Sequence, residues 1–295
     1  MSTNGRDESR MPDAARPPSD GGMALTLSAG KRDLSMRTPC TNAAGFLGCD
    51  GAARESVDFR SLGAYITPPL SLQPRSAARG PRVLPFPGGF LLHTGHPNAG
   101  LHAVVRQNRR NWSELPCPVI MHLLLRTPDE ASEMARWVES VEEVSALELG
   151  LGEVDASQAA ALVTACAGEL PLIAHLPLGA APSVFAAAVE AGAHAVSIGA
   201  PRGALPGRDG TSVRGRVYGP AVFPIALQAV AILKEHLLVP ILAAGGIYRS
   251  MQVAALLSTG ASAVQLDGIL WTTPERVFPA RRDRGDRQPE AGVTA

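Results

Sequence analysis

The chain has 295 residues, 45% of them hydrophobic, with 27 Lys+Arg against 27 Asp+Glu. Balanced charge argues against a nucleic-acid-binding protein, which normally carries a basic stripe, and the apolar content excludes global disorder. No run approaches ~20 apolar residues, so we expect no membrane-spanning segment. The four cysteines form no CxxC pair and the N-terminus has no signal-peptide core, so we expect a cytoplasmic protein with reduced thiols.

Polar segments stand at both ends of the chain. Residues 1–22 and 281–295 are rich in Arg, Asp, Pro and Gly, and they are predicted to be disordered tails because they have little apolar surface to bury. Residues 23–280 between them are predicted to form one domain. Its size is typical of an α/β barrel.

Within this domain, short apolar runs alternate with helical patterns. Ala24–Leu27 and Asp33–Met36 predict an opening β-hairpin. Eight further strands are predicted at Pro39–Ala43, Ala64–Thr67, Pro118–Leu123, Ala146–Leu149, Leu172–His175, Ala195–Ile198, Val239–Ala243 and Ala263–Leu266. Five helices are predicted at Asp129–Val141, Ser157–Ala167, Ser183–Ala191, Pro220–Glu235 and Ser250–Ser258.

Strands that alternate with helices of this length pair in parallel through right-handed crossovers. The predicted fold is therefore an α/β TIM (β/α)8 barrel with an N-terminal β-hairpin and disordered tails. An open doubly wound sheet is the alternative, but its Gly-rich fingerprint is missing after the first strand. Residues 68–98 lack periodicity and are predicted to be a long functional loop.

A second irregular segment follows the sixth strand and is rich in glycine and arginine. It is predicted to be a flexible polar loop, with phosphate or carboxylate binding as the alternative. Its arginines are Arg202, Arg208, Arg214 and Arg216.

In a TIM barrel, functional residues lie at the carboxyl ends of the strands. Gly245 and Gly246 there predict either an anion-binding loop or a tight turn. His122 and His175 end the third and fifth predicted strands, where with Glu153 or Glu148 they could form a metal or acid–base cluster. Contact with another ligand, and hydrogen-bonded histidines that fill space, are the other interpretations.

Several separated motifs, in the right order, resemble the dihydroorotate dehydrogenase family. Gly215–Leu227, Val239–Ile247 and Gly260–Gln265 are similar to its C-terminal half, and Pro39–Gly45 is similar to its opening strand and flavin-contacting turn. The chain resembles a divergent member of the soluble class 1 type. The resemblance implies a barrel that uses FMN to oxidise a small-molecule substrate, dihydroorotate, to orotate in pyrimidine biosynthesis, as an oxidoreductase and possible homodimer.

The resemblance also implies roles for single residues, with no metal. Substrate contacts fall at Asn98 and His122, the catalytic base falls near Glu153, and a family lysine falls at His175. Cofactor contacts fall at Ala43, Ala44 and Gly45 against the flavin ring, at Gly219 near the ribityl chain or ring, and at Gly245, Gly246 and Gly268 around the phosphate.

The chain departs from the family at several of these positions. Pro68 stands at a family lysine, Gly150 and Ala200 stand at asparagines, and Asp267 stands at a glycine. Two interpretations therefore stay open, an FMN-dependent oxidoreductase and an inactive family member that acts as a ligand-binding or partner subunit. A metal-dependent hydrolase built on the two histidines is disfavoured, because the first strand carries no HxH motif.

Overall fold

A computed structural model describes residues 23–30, 32–49, 57–207 and 210–278. The predicted tails at 1–22 and 281–295 lie outside the described residues, as does Arg208. The strands are β1 (Leu25–Ala29), β2 (Arg32–Met36), β3 (Cys40–Asn42), β4 (Tyr65–Ile66), β5 (Val83–Phe86), β6 (Gly89–Leu92), β7 (Val119–Leu124), β8 (Val144–Gly150), β9 (Leu172–Pro177), β10 (Ala195–Gly199), β11 (Arg202–Pro206), β12 (Ser212–Tyr218), β13 (Ile241–Ala244) and β14 (Ala263–Leu266). The α-helices are α1 (Leu101–Ser113), α2 (Pro128–Val138), α3 (Ala156–Ala165), α4 (Pro182–Glu190), α5 (Phe223–His236), α6 (Ser250–Thr259) and α7 (Ile269–Thr272).

Eight parallel strands form the barrel wall in the order β3-β14-β13-β10-β9-β8-β7-β4. A parallel bridge between Thr41 and Ala64 joins the two end strands, β3 and β4. The Asn42 side chain strengthens this seam, because it donates to the Ile66 carbonyl (2.7 Å) and accepts the Ile66 N–H (2.9 Å). The predicted TIM barrel is confirmed.

The N-terminal hairpin closes the bottom of the barrel. Leu27, Leu34 and Met36 are buried against the first inward-facing layer of the barrel strands, which includes Ile66 and Ile173. Arg32 anchors the hairpin from outside by donating to backbone carbonyls beyond the end of α2. This apolar plug leaves the opposite end of the barrel for polar residues, and the predicted hairpin is confirmed.

The helices begin where local sequence favours them. Thr127 accepts the Glu130 N–H at the start of α2, directly before Pro128, and Asp155 and Gln158 form a capping box at α3. These caps set the lengths of the β-to-α loops at the functional end of the barrel. Among the described residues, no helix combines the length and the apolarity needed to cross a bilayer.

A four-stranded antiparallel sheet, ordered β11-β12-β6-β5, is the main difference from the sequence-based prediction. Residues 68–98 contain two of its strands, and the arginine-rich segment predicted as a flexible loop forms the hairpin β11–β12. That prediction was wrong because the hairpin is held in place by the pairing of β12 with β6, which lies more than one hundred residues earlier in the chain. The hairpin places Arg202 and Arg216 against the cavity at the barrel rim.

Candidate functional site at the carboxyl ends of the barrel strands

A cavity of about 90 Å³ lies at the carboxyl ends of the barrel strands. Its floor comes from residues at the ends of strands around the barrel, and the antiparallel sheet contributes Arg202, Arg216 and Tyr218. Pockets for drug-sized ligands span about 300–1,000 Å³. This cavity therefore suits a small ligand.

Glu148 is the centre of a buried polar cluster beneath the cavity, which His122, His175 and Gln265 line. Its side chain is inaccessible to solvent, and its carboxylate accepts three hydrogen bonds. The donors are His122 Nδ1 (2.6 Å), Ser197 Oγ (2.7 Å) and Gln265 Nε2 (2.5 Å). A buried charge is tolerated only with such partners, so the loss of any one of these donors would destabilise the buried carboxylate.

The hydrogen bonds fix which nitrogen of each histidine carries a proton. Because an ionised carboxylate only accepts, His122 Nδ1 donates to Glu148. Ser197 gives its hydroxyl proton to the same carboxylate, so it accepts from His175 Nδ1 at 2.8 Å. In the neutral form of each ring, Nε2 is then left as an acceptor on the cavity wall.

Burial and neighbouring charged groups shift the pKa values of these side chains in opposite directions. Burial would raise the pKa of Glu148, but the charge of His175 and the hydrogen bond from His122 hold that pKa well below its usual range. Burial lowers the pKa of His122, partly offset by its hydrogen bond to Glu148. The cluster therefore contains an ionised carboxylate beside a His122 ring that favours the neutral form.

Two glycines provide the space that the imidazole rings fill. A Cβ at Gly150 would lie 2.6 Å from His122 Nε2, and a Cβ at Gly199 would lie 2.5 Å from His175 Nε2. Real Cβ atoms do not approach other atoms so closely. The histidine pair therefore depends on glycine at both neighbouring strand ends.

The upper wall of the cavity is basic. An Arg216 guanidinium nitrogen lies against the His96 ring, and burial together with the charge of Arg216 lowers the pKa of His96 to about 2. His96 is thus a neutral acceptor for Arg216. Among the described residues, Arg216 Nε is a buried atom without a hydrogen-bond partner, and so is Gln265 Oε1.

Asp267 occupies the remaining side of the rim. It is 2% exposed, and its carboxylate accepts the N–H groups of Gly268, at 2.6 Å, and of Gly246. Burial raises its pKa to about 6 despite these bonds. The hydroxyl of Tyr248 and the ring of Phe90 fill the space next to the Gly268 Cα.

Comparisons with known proteins agree with this architecture. A family model described as dihydroorotate dehydrogenase matches residues 27–165, and one described as nitronate monooxygenase matches residues 178–284. The dihydroorotate dehydrogenase B (NAD(+)) catalytic subunit of Trichlorobacter lovleyi is 30% identical over 275 residues, covering 85% of this chain and 89% of the relative. The chain belongs to the dihydroorotate dehydrogenase family. The same subunits of Pelobacter propionicus and Solidesulfovibrio magneticus are 29% and 28% identical, covering 82% and 92% of this chain and 86% and 96% of theirs.

Of the four side chains to which the resemblance assigns a substrate or catalytic role, the structure places two at the cavity and two away from it. His122 and His175 line the cavity together. Glu153 instead lies on the exposed surface, 3.6 Å from Arg202, and Asn98 holds the base of the α1 loop by accepting the Gly100 N–H at 2.9 Å. Neither Glu153 nor Asn98 lines this cavity, so we propose no catalytic role for Glu153.

The family's predicted cofactor positions form two groups. Ala43 and Ala44 line the cavity, and Gly45 follows them with a φ of 90°. Gly219 and Gly246 pack on each other at positive φ, because a Cβ at Gly246 would meet the Gly219 carbonyl at 2.9 Å. Gly245, at a φ of 121°, lies against Val222 and Ala226, and Gly268 lies beneath Tyr248.

Glu148 was predicted only as an alternative to Glu153, and Ser197 and Gln265 were not predicted. One signal was available, since each of these three polar residues has an apolar residue on either side of it in its strand. Strand register then brings them together, because His122 pairs with Glu148 and His175 pairs with Ser197.

Proposed function

We propose that this member of the dihydroorotate dehydrogenase family binds a small organic carboxylate in the rim cavity and does so without FMN. The observation that carries the proposal is the position of Asp267. Its carboxylate accepts the N–H groups of Gly246 and Gly268, which the resemblance assigns to the flavin phosphate. An anion that belongs to the protein already holds these donors, so the residues present do not fit the phosphate.

The energetic conflict is large enough to matter. With a pKa of about 6, Asp267 is mostly ionised at neutral pH. A phosphate charge about 4 Å from this carboxylate would be repelled by about 4 kcal/mol at an effective dielectric of 20, a thousandfold loss of affinity. Tyr248 and Phe90 also fill the space beside Gly268.

A carboxylate ligand matches the part of the cavity wall that carries Arg202 and Arg216, and not the part that carries Asp267. These two arginines supply positive charge there, and the unpaired Arg216 Nε supplies a donor. A buried N–H without a partner costs about 1–3 kcal/mol, which a ligand oxygen would recover. Arginine also binds carboxylates through two parallel hydrogen bonds. The Gln265 Oε1 atom offers a site for a ligand N–H or O–H group.

The FMN-dependent oxidation of dihydroorotate is the second candidate function. Gly45, Gly219 and Gly245, all at positive φ, favour it because the resemblance implies cofactor contacts at these three positions. The visible absorbance of the purified protein separates the two candidates. We expect no bound flavin and no uptake of added FMN, and we expect Asp267→Gly to increase the affinity for FMN up to about a thousandfold.

Carboxylate binding is tested directly by calorimetry with pyruvate and malonate. We expect binding of at least one of them to the wild-type protein and a loss of at least tenfold in Arg216→Gln, which removes the charged donor. Arg106→Gln is the matched control, since Arg106 is exposed on α1 away from the cavity. Stoichiometric FMN in the purified protein, or no binding of either carboxylate, would overturn the proposal.

A further inference from the structure

We propose that His122, Glu148 and His175 form a proton-transfer site, in which one imidazole removes a proton from the bound carboxylate compound and the other imidazole supplies one. The reaction class is cofactor-independent enolisation or isomerisation of a small carboxylate. The proposal rests on the carboxylate binding proposed above and assigns a chemistry to that cavity.

The two histidines occupy corresponding positions on the two strands that flank the strand of Glu148. They lie on β7 and β9, on either side of the strand that carries Glu148, and their ring centroids are 5.0 Å apart. Both rings line the same cavity. Because each Nδ1 is committed to Glu148 or Ser197, Nε2 is the atom of each ring that a ligand meets.

The same three side chains also offer a donor set for a divalent metal ion. Two ligand atoms about 2.0–2.1 Å from a tetrahedral ion lie about 3.3 Å apart. His122 Nδ1 and Glu148 Oε2 are 2.6 Å apart, which is a hydrogen-bond distance. His175 Nδ1 is hydrogen-bonded to Ser197 rather than free to bind a metal. Hydrogen bonding therefore accounts for this arrangement better than a metal centre does.

The one negative charge of Glu148 lies beside both imidazole rings, 2.6 Å from His122 Nδ1 and 3.6 Å from His175 Nδ1. Burial and the charge of Arg216 lower the pKa of His122, although the hydrogen bond to Glu148 opposes this. In the proposed site one ring is the proton acceptor and the other is the proton donor, as acid–base catalysis requires. The other ionisable side chains that line the cavity are His96, Arg202, Tyr218 and Asp267.

The proton transfer balances without a redox partner. A neutral Nε2 takes a proton from the carbon next to the ligand's carbonyl group, so that the C–H bond breaks and an N–H bond forms. The electron pair moves to the carbonyl oxygen, which the opposite imidazolium protonates to give the enol. Reversal of both steps returns a proton to carbon, and in D2O it returns a deuteron.

Glu148 acts in this scheme as a positioning residue. It holds His122 with Nδ1 protonated, which leaves Nε2 unprotonated towards the cavity. In serine proteases, converting the carboxylate that orients the histidine to its amide costs about 10⁴-fold in rate, because the wrong tautomer forms. Glu148→Gln would likewise present an N–H to His122 Nδ1 and turn Nε2 into a donor.

The experiment measures exchange of the pyruvate methyl protons, which lie next to a ketone carbonyl, in D2O by ¹H NMR at neutral pH. We expect the wild-type protein to accelerate this exchange by about 100-fold or more over buffer. His122→Gln, His175→Gln and Glu148→Gln should each lose this acceleration. His236→Gln is the matched control, since His236 is an exposed histidine at the end of α5.

A second readout keeps the test independent of folding defects. ¹⁵N NMR of the histidine rings should show His122 protonated at Nδ1 in the wild-type protein and at Nε2 in Glu148→Gln, a switch that a space-filling role would not produce. Binding without accelerated exchange would overturn the proton-transfer proposal and leave carboxylate binding intact. Failure to bind either probe would overturn both proposals, and one tightly bound metal ion per chain at the histidines would overturn this one.

Discussion

Replacing Asp267 with asparagine tests whether an ionised carboxylate is buried at the barrel rim. Burial raises the pKa of this residue from 3.8 to about 6. A difference of about 2.2 pKa units, at about 1.36 kcal/mol per unit, corresponds to about 3 kcal/mol. Because Asp267 is only 2% exposed, solvent screening does not diminish this value.

Proton binding by Asp267 determines the direction in which stability changes with pH. The folded protein holds the Asp267 proton more tightly than the unfolded chain does, so this proton contributes stability in full below about pH 4. That contribution is lost as the pH rises through about 6. Above this pH the ionised carboxylate lowers the free energy of unfolding by about 3 kcal/mol, whereas Asp267→Asn cannot ionise and still accepts the Gly268 N–H.

Urea denaturation of the wild-type protein and of Asp267→Asn, at intervals between pH 4 and pH 7, measures this difference. As the pH rises across that range, the free energy of unfolding of the variant should increase by about 3 kcal/mol relative to that of the wild-type protein. Asp33→Asn is the matched control, because Asp33 is exposed on β2, and it should show no such trend. A stability difference between wild type and Asp267→Asn that stays constant with pH would refute the argument.

Three further variants test the scaffold around the site. Gly150→Ala would force a Cβ to within 2.6 Å of His122 Nε2, and it should lower the free energy of unfolding by about 1–3 kcal/mol in urea titrations and weaken pyruvate binding in calorimetry. Asn42→Ala removes both side-chain bonds between β3 and β4 and should cost about 2–3 kcal/mol in urea titrations. Arg32→Ala removes the donor to the backbone carbonyls beyond α2. It should lower the free energy of unfolding by about 1–2 kcal/mol and give faster amide exchange in the β1–β2 hairpin.

Local sequence patterns were sufficient for the barrel. Each predicted barrel strand overlaps an observed one, because a strand buried on both faces reads as a short apolar run between turn residues. The antiparallel sheet was beyond this reasoning. Its hairpin β11–β12 is largely polar, and β12 pairs with β6 across a long stretch of chain, so no local pattern reports the pairing.

The site was predictable only in part for a related reason. Their positions at the carboxyl ends of two strands placed His122 and His175 at the barrel mouth, but those positions do not show which side chains meet across neighbouring strands. That depends on register, and it is register that sets His122 beside Glu148 and His175 beside Ser197. The orientation of Asp267 towards backbone N–H groups is likewise a matter of tertiary structure.

The residues around the cavity depend on one another. The buried carboxylate of Glu148 has three donors. Glycine stands at positions 150 and 199, where any Cβ would strike an imidazole ring. Among the described residues, two of the three buried polar atoms without a partner, Gln265 Oε1 and Arg216 Nε, belong to side chains that line the cavity. A ligand with both an acceptor and a donor would satisfy them, which is the composition of a small carboxylate with an additional N–H or O–H group.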